Sequence, residues 1–228
     1  MKMGVIVQAR MGSKRLPGKA LVKIAGKPLL QYVLERLARC EMINAVVVAT
    51  STANEDDAIV RFCQGRGTEC YRGSLDDVAG RFVGVLEQND WEAFVRVSGD
   101  SPLLDQCLID RAVEIFKEGE YDLVTNVWPR SYPYGQSVEV VRSDTFRRVR
   151  RQIRGAEDKE HVTRFFYQHG REFKLYNFRS KVNYAGLHMA VDTEKDYKTI
   201  AALVKRLARP HWEYTVDELV CMMGKVAV

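Results

Sequence analysis

Arg10, Lys14, Arg15 and Lys19 fall in one short stretch, interleaved with Gly12, Ser13, Pro17 and Gly18, directly after the apolar run Val5-Ile6-Val7. Such a loop suits a triphosphate. Glycine lets backbone N–H groups approach closely, arginine grips phosphate oxygens bidentately and lysine adds a compact charge. The β-branched run reads as a strand buried on both faces, and Gly12 and Pro17-Gly18 end it. The cations are therefore displayed at a strand's carboxyl end, the edge of an open α/β sheet where ligands bind. A mere exposed basic turn would need neither four cations nor two glycines. The loop is not a Walker A sequence, because that motif needs Ser or Thr after its lysine and Ala20 follows Lys19.

A second constellation is Phe94-Val-Arg-Val-Ser-Gly-Asp100-Ser-Pro-Leu103. The strand ends at Gly99 and the chain turns at Pro102, so Asp100 also projects from a carboxyl end. Opposite a triphosphate, a carboxylate suits Mg²⁺, which takes oxygen ligands and keeps several waters; alone, Asp before Ser-Pro is an ordinary turn former. Asp192 follows the apolar run Leu187–Val191. Thr193 is available to cap the next helix, which frees Asp192 to be the second metal ligand. One metal between two aspartates would neutralise charge developing on phosphates. His161 and His188 are placed to face the site, but surface or core roles suit each better. The histidines form no H-E-x-x-H pair, and no G-x-S-x-G elbow is present.

Elements able to position these groups alternate along the first half of the chain, as in a parallel sheet covered on both faces. Strands are expected at 4–8, 45–50 and 93–98. Leu29, Leu30, Val33, Leu34 and Leu37 mark a helix after Pro28, and Ala58, Ile59 and Phe62 mark one near 54–65. Ser74-Leu-Asp-Asp77 resembles a capping box, with Leu75, Val78, Ala79, Phe82, Val83 and Leu86 at helical spacing. Asp105 is expected to cap a helix buried through Leu108, Ile109, Ala112, Val113 and Phe116. Strand-like 121–127 and Ser137–Val141 flank a turn-rich stretch, an excursion at about 126–141 that shapes a second-substrate pocket or a dimer contact. Arg142–Arg154 carries six arginines around Phe146, Val149 and Ile153, which reads as a solvated helix with one buried stripe. A helix near 157–168 and strands near 173–178 and 187–191 follow. Thr193 and Asp196 then open a helix whose core face is Tyr197, Ile200, Ala201, Val204 and Leu207.

The chain has 228 residues, 46% hydrophobic and 29% charged, with a formal charge of +5. That supports one ordered domain over 1–228 rather than a disordered chain. The mild basic excess fits an anionic small substrate as well as RNA. An RNA-binding module would want aromatics among the arginines of 142–154, and only Phe146 is there. Five dispersed cysteines read as reduced thiols. With no apolar run near the ~18 residues of a membrane span, the expectation is a soluble cytoplasmic protein without nucleic-acid or membrane partners.

Gln8-Ala-Arg-Met-Gly-Ser-Lys-Arg-Leu-Pro-Gly-Lys19 resembles the N-terminal signature of the cytidylyltransferases that activate acidic sugars, most of all the spore coat polysaccharide biosynthesis type, a relative of the Kdo and acylneuraminate types. Val47-Val-Ala-Thr-Ser51, Arg72-Gly-Ser-Leu-Asp-Asp-Val78, Val97-Ser-Gly-Asp-Ser-Pro-Leu103, Val138-Glu-Val140, Glu160-His-Val-Thr163 and Val191-Asp-Thr193 extend the likeness. Two positions depart from the better-known branches: Gln8 stands where those have proline, and Thr50-Ser51 replaces Thr-Asp-Asp. The resemblance implies a three-layer α/β/α, Rossmann-related, GT-A-like fold with a mostly parallel central sheet. It implies transfer of CMP from CTP, with pyrophosphate released, to an acidic sugar or sugar phosphate destined for a surface polysaccharide. Arg15 and Lys19 would act on the reacting phosphates. Gln8, Ala9, Arg10, Gly12, Ser13, Thr50, Ser51 and Ser98 would bind the nucleotide, and Asp100 and Asp192 would hold Mg²⁺. Tyr134, Gln136, Glu139 and His161 would meet the acceptor; related enzymes are often homodimers. A GT-A glycosyltransferase would usually show Asp-x-Asp, and residue 102 is proline.

Overall fold

In the computed structural model, which describes residues 1–224, the apolar run near the N-terminus is strand β1 (Met3–Gln8), with Val5, Ile6 and Val7 fully buried. The other strands are β2 (Lys23–Ile24), β3 (Lys27–Pro28), β4 (Ala45–Ser51), β5 (Glu69–Gly73), β6 (Ala93–Ser98), β7 (Leu123–Thr125), β8 (Glu139–Arg142) and β9 (Leu175–Asn177). The helices are α1 (Leu29–Leu37), α2 (Asp57–Gln64), α3 (Val78–Gln88), α4 (Gln106–Glu118), α5 (Ser143–Arg150), α6 (Ala156–Glu160), α7 (Arg164–Gln168), α8 (Glu194–Lys205) and α9 (Val216–Gly224).

Seven strands form one sheet in the order β5-β4-β1-β6-β8-β7-β9. β5, β4, β1 and β6 run parallel, β8 is antiparallel to β6 and β7, and β9 is parallel to β7. The pleat splits β1 between two layers. Met3, Val5 and Val7 pack with Leu30 and Val33 of α1 and Ile109 and Val113 of α4. Ile6 packs on the other face with Phe82 and Val85 of α3 and Phe146 of α5. There Phe94 sits 5.6 Å from Phe82 and 5.1 Å from Phe146 in tilted and edge-on pairs, worth about 0.5–1.5 kcal/mol each beyond burial. A third cluster joins α1 to α8 and α9 through Leu29, Ile200, Leu203 and Leu219. The fold is three-layered α/β/α, as the signature implies.

Several boundaries differ from the sequence expectation. The cap of α3 is Asp77, which accepts from Gly80 N at 2.8 Å, so Leu75 lies ahead of the helix and is exposed. The helix expected near 157–168 divides into α6 and α7, because Thr163 is drawn away to donate to Glu139 at 2.7 Å. Leu187–Val191 joins no ladder; it makes one isolated bridge, Tyr134 with His188, and buries Met189 and Val191 against α8 instead. Gly135 permits that bridge. Its φ is 90° and a Cβ there would stand 2.5 Å from Ala190 N, so only glycine lets this turn lie so close to the chain. Asp105 caps α4, and Thr193 with Asp196 forms the expected box. The arginine-rich stretch keeps its buried stripe, while Arg147 binds Asp144 and Arg150 pairs with Asp77. β5, the β2–β3 hairpin and α9 carry too little periodicity to be expected. No helix among the described residues is long and apolar enough to cross a membrane.

A buried polar joint fastens α1 to the C-terminal segment. Arg36 donates to the carbonyls of His211 and Tyr214, and His211 sits edge-on to Tyr32. Burial, helped by Arg36 and Lys27 and opposed by Glu35, lowers the His211 pKa to about 4. Between the unfolded value of about 6.5 and about 4, the unfolded chain binds a proton that the folded chain refuses, so stability falls as pH drops. Glu139, charged despite its burial, loses stability in the same direction. Allowing for partial solvation, His211 should contribute a loss of about 2 kcal/mol between pH 7.5 and 4.5. Urea midpoints across that range test it: His211→Gln should flatten the slope, and an equal slope in both proteins would refute it.

Candidate active site

The loop after β1 is shaped by backbone hydrogen bonds and one carboxylate. Gly18 N and Ser13 N both donate to Met11 O, at 2.9 and 2.8 Å. Met11 N donates to Asp56 Oδ1 at 2.6 Å, while Asp56 Oδ2 accepts from Ser51 N at 3.0 Å and from the Ser51 hydroxyl. Buried Asp56 thus ties the loop to the end of β4, a role its place in Glu55-Asp56-Asp57 after a strand foreshadows. Thr50 and Ser51, expected beside the nucleotide, are fully buried. Ser51 belongs to the support of the loop and Thr50 to the interior of β4: neighbours on a strand face opposite sides of the sheet, and both sides are covered by packed clusters.

At the floor of the loop Lys19 Nζ lies 2.6 Å from Asp100 Oδ2 and 2.8 Å from Asp192 Oδ1, and Arg15 reaches Asp192 at 3.2 Å. Asp100 is set by the end of β6, and Asp192 by Val191 N donating to Asp100 O at 2.8 Å. Burial would depress the Lys19 ammonium, but the charge of Asp100 and hydrogen bonds to both aspartates outweigh it and leave its pKa raised. The carboxylate oxygens of two separate segments therefore converge on one cationic centre. That is a hard-oxygen donor pair of the kind Mg²⁺ takes, with remaining positions left to water and phosphate. Among the described residues no group of three or more His, Cys, Asp or Glu side chains forms a larger metal cluster.

Gln8, Ala9, Arg10, Gly12, Ser13, Arg15, Lys19, Ser98, Asp100, His161 and Asp192 line one cleft of about 690 Å³. Glu160, beside His161 on the segment expected to face the site, shares it, as do Glu55, Asp76 and Arg81, which sequence reasoning missed. Glu160 pairs with Arg10 at 2.8 Å, and Arg81 donates to the carbonyls of Ser74 and Leu75. Behind Gln8, Arg96 Nε donates to Gln8 Oε1 at 3.1 Å and Arg96 Nη1 to Glu139. Glu139 also accepts from the hydroxyls of Thr163 and Tyr167. Burial would raise its pKa, but Arg96 and these two donors hold it below the ordinary carboxylate value.

Two of the expected acceptor contacts are accordingly corrected. Glu139 is buried with its oxygens committed. Gln136 is fully buried, accepting from Asp105 N at 2.9 Å and donating to Leu103 O at 2.7 Å. Glu139 ties β8 to β6 and α7, and Gln136 ties its turn to the segment between Asp100 and α4. Tyr134 is half exposed, stacks on His188 at 5.6 Å and lies under Arg130 at 4.2 Å. His188 Nε2 stands 3.7 Å from Asp192.

A cationic loop facing two convergent carboxylates, in a nucleotide-sized cleft at the carboxyl ends of parallel strands, defines the protein as a nucleotidyltransferase. The sequence model of the cytidylyltransferase family matches residues 4–218, and the chain belongs to that family. It is 30% identical over 231 residues to a spore coat polysaccharide biosynthesis protein of Bacillus subtilis, covering 96% of this chain and 93% of that one. It is 41% identical over 115 residues to the 3-deoxy-manno-octulosonate cytidylyltransferase of Geobacter sulfurreducens, covering 50% and 44%. The solved structure of a cytidylyltransferase from Leptospira borgpetersenii superposes with a TM-score of 0.93 at 26% identity, covering 99% of this chain and 95% of the other.

Proposed function

We propose that the protein transfers CMP from CTP to an acidic sugar or sugar phosphate in a Mg²⁺-dependent reaction that releases pyrophosphate, and that its product feeds a surface polysaccharide. The observation that carries this reading is the convergence of Asp100, Asp192 and Lys19 beneath the loop of residues 10–19. Asp100 and Asp192 would hold Mg²⁺, which when bound would neutralise charge on the phosphates. Arg15, two-thirds exposed at the cleft mouth and held by a single contact with Asp192, can turn its remaining N–H groups to phosphate oxygens. Lys19 supplies a fixed compact charge beside the atoms that react. Arg10, already paired with Glu160, positions the loop wall more than it draws in charge. The acceptor hydroxyl or phosphate approaches from the side of Tyr134 and His188, beside Asp192, where Arg130 adds positive charge.

Pyrophosphate release, measured with four nucleoside triphosphates against sugar acids and sugar phosphates, tests this directly. CTP with one acidic acceptor should exceed UTP, ATP and GTP by at least about a hundredfold in kcat/KM and need a divalent cation. Equal rates with all four nucleotides, or turnover only with neutral sugars, would sink it.

A further inference from the structure

The cleft has two unlike ends. Arg15, Lys19 and the two aspartates occupy the end beside α1 and α8. Gln8, which follows Ile6 on the opposite face of β1, points to the α3 side, where Val78, Leu75 and Arg81 form the wall. The cations there are already matched: Arg10 is paired with Glu160, Arg96 with Glu139, and Arg81 holds the carbonyls of Ser74 and Leu75. A polar, charge-balanced wall with apolar patches suits a neutral planar base better than an anionic acceptor.

The Gln8 amide is not free to turn there. Arg96 Nε can only donate, so the atom 3.1 Å from it is Gln8 Oε1, and the NH₂ group must face the other way, into the cleft. Arg96 cannot swing aside, because its guanidinium is anchored on Glu139, itself fixed by Thr163 and Tyr167. Tyr167 meets Thr125 at 3.0 Å in turn. A flipped amide would set an NH₂ against a guanidinium N–H, two donors facing each other with nothing between.

Resting on the cytidylyltransfer reading above, we propose that Gln8 is the residue that selects the base: its Nε2–H donates to the N3 acceptor of cytosine, and the Arg96–Glu139–Tyr167 relay holds it in that orientation. Uracil carries N3–H at the same place, so two donors would collide. The relay therefore converts a largely buried ion pair behind Gln8 into discrimination between two pyrimidines.

The test pairs wild type with Gln8→Met, which keeps length and loses the donor, and Gln8→Glu, which presents only acceptors. Steady-state pyrophosphate release is measured with CTP, UTP and 3-deaza-CTP, in which N3 is replaced by C–H. Wild type should turn over 3-deaza-CTP at least about tenfold less efficiently than CTP. In Gln8→Met that gap should close, and the CTP-to-UTP ratio should fall at least about tenfold; Gln8→Glu should lower the ratio further. Equal losses with CTP and UTP in both variants, or wild type indifferent to N3, would overturn the inference. Wild type that releases no pyrophosphate from CTP would instead overturn the reading on which it rests. The wild-type comparison of CTP with 3-deaza-CTP does not depend on either variant folding.

Discussion

Lys19→Met should lower kcat for pyrophosphate release by about 10²–10³-fold, the usual consequence of removing one preorganised charge from a site where charge develops. The same substitution should strengthen divalent-cation binding to the ligand-free protein. Lys19 Nζ lies within 2.8 Å of both Asp100 and Asp192, so without ligand it competes for the oxygens a metal would use. A pair of unit charges about 4 Å apart near a protein surface is worth about 4 kcal/mol at an effective dielectric of about 20, so removing the competitor should tighten Mn²⁺ binding at least about tenfold. Arg15 remains to offset the carboxylates, 3.2 Å from Asp192, which limits their mutual repulsion. Lys19→Arg should recover little, because a planar fork does not fit the slot that a compact ammonium fills. Single-turnover kinetics with Mn²⁺ titration separates the two effects. A variant keeping more than about a tenth of wild-type kcat, or binding Mn²⁺ more weakly than wild type, would remove Lys19 from the reacting centre.

The loop and the two aspartates were legible because their signals are local. Glycine and proline end a β-branched run, and a carboxylate at a strand end needs only its neighbours to be recognised. Asp105, Thr193 and Asp196 were legible for the same reason, since a cap is a matter of three or four residues. Glu139 was not. Its strand alternates Val138, Glu139 and Val140, which says only that glutamate faces away from the two valines. Whether that face meets solvent or interior depends on Arg96 of β6 and on Thr163 and Tyr167 at the start of and within α7, all far away in the chain. Ser51 misled in the complementary way: a hydroxyl at a strand end looks like a ligand contact until Asp56, five residues beyond, claims it, while Thr50 beside it is fully buried. Leu187–Val191 reads as a strand because a short apolar run has no periodicity to separate ladder pairing from plain burial.

Glu139→Leu should therefore act on stability before it acts on any substrate. The substitution leaves the Arg96 guanidinium without its counter-charge and the Thr163 hydroxyl without its acceptor, while the Tyr167 hydroxyl keeps only Thr125. Breaking such a buried pair costs about 3–5 kcal/mol. For a chain of this size each kcal/mol moves the thermal midpoint by about 2–4 °C, so calorimetry should show a fall of about 6–20 °C. Glu139→Gln keeps one carbonyl acceptor and should lose less, about 1–3 kcal/mol. Leu at this position also releases Arg96 from its anchor, so the stable fraction of the variant should show a weakened preference for CTP over UTP, through Gln8 and with no change at the acceptor. A midpoint equal to wild type together with a raised acceptor KM would return Glu139 to the acceptor pocket. A lowered midpoint with an unchanged nucleotide ratio would leave it as a structural ion pair, uncoupled from the base.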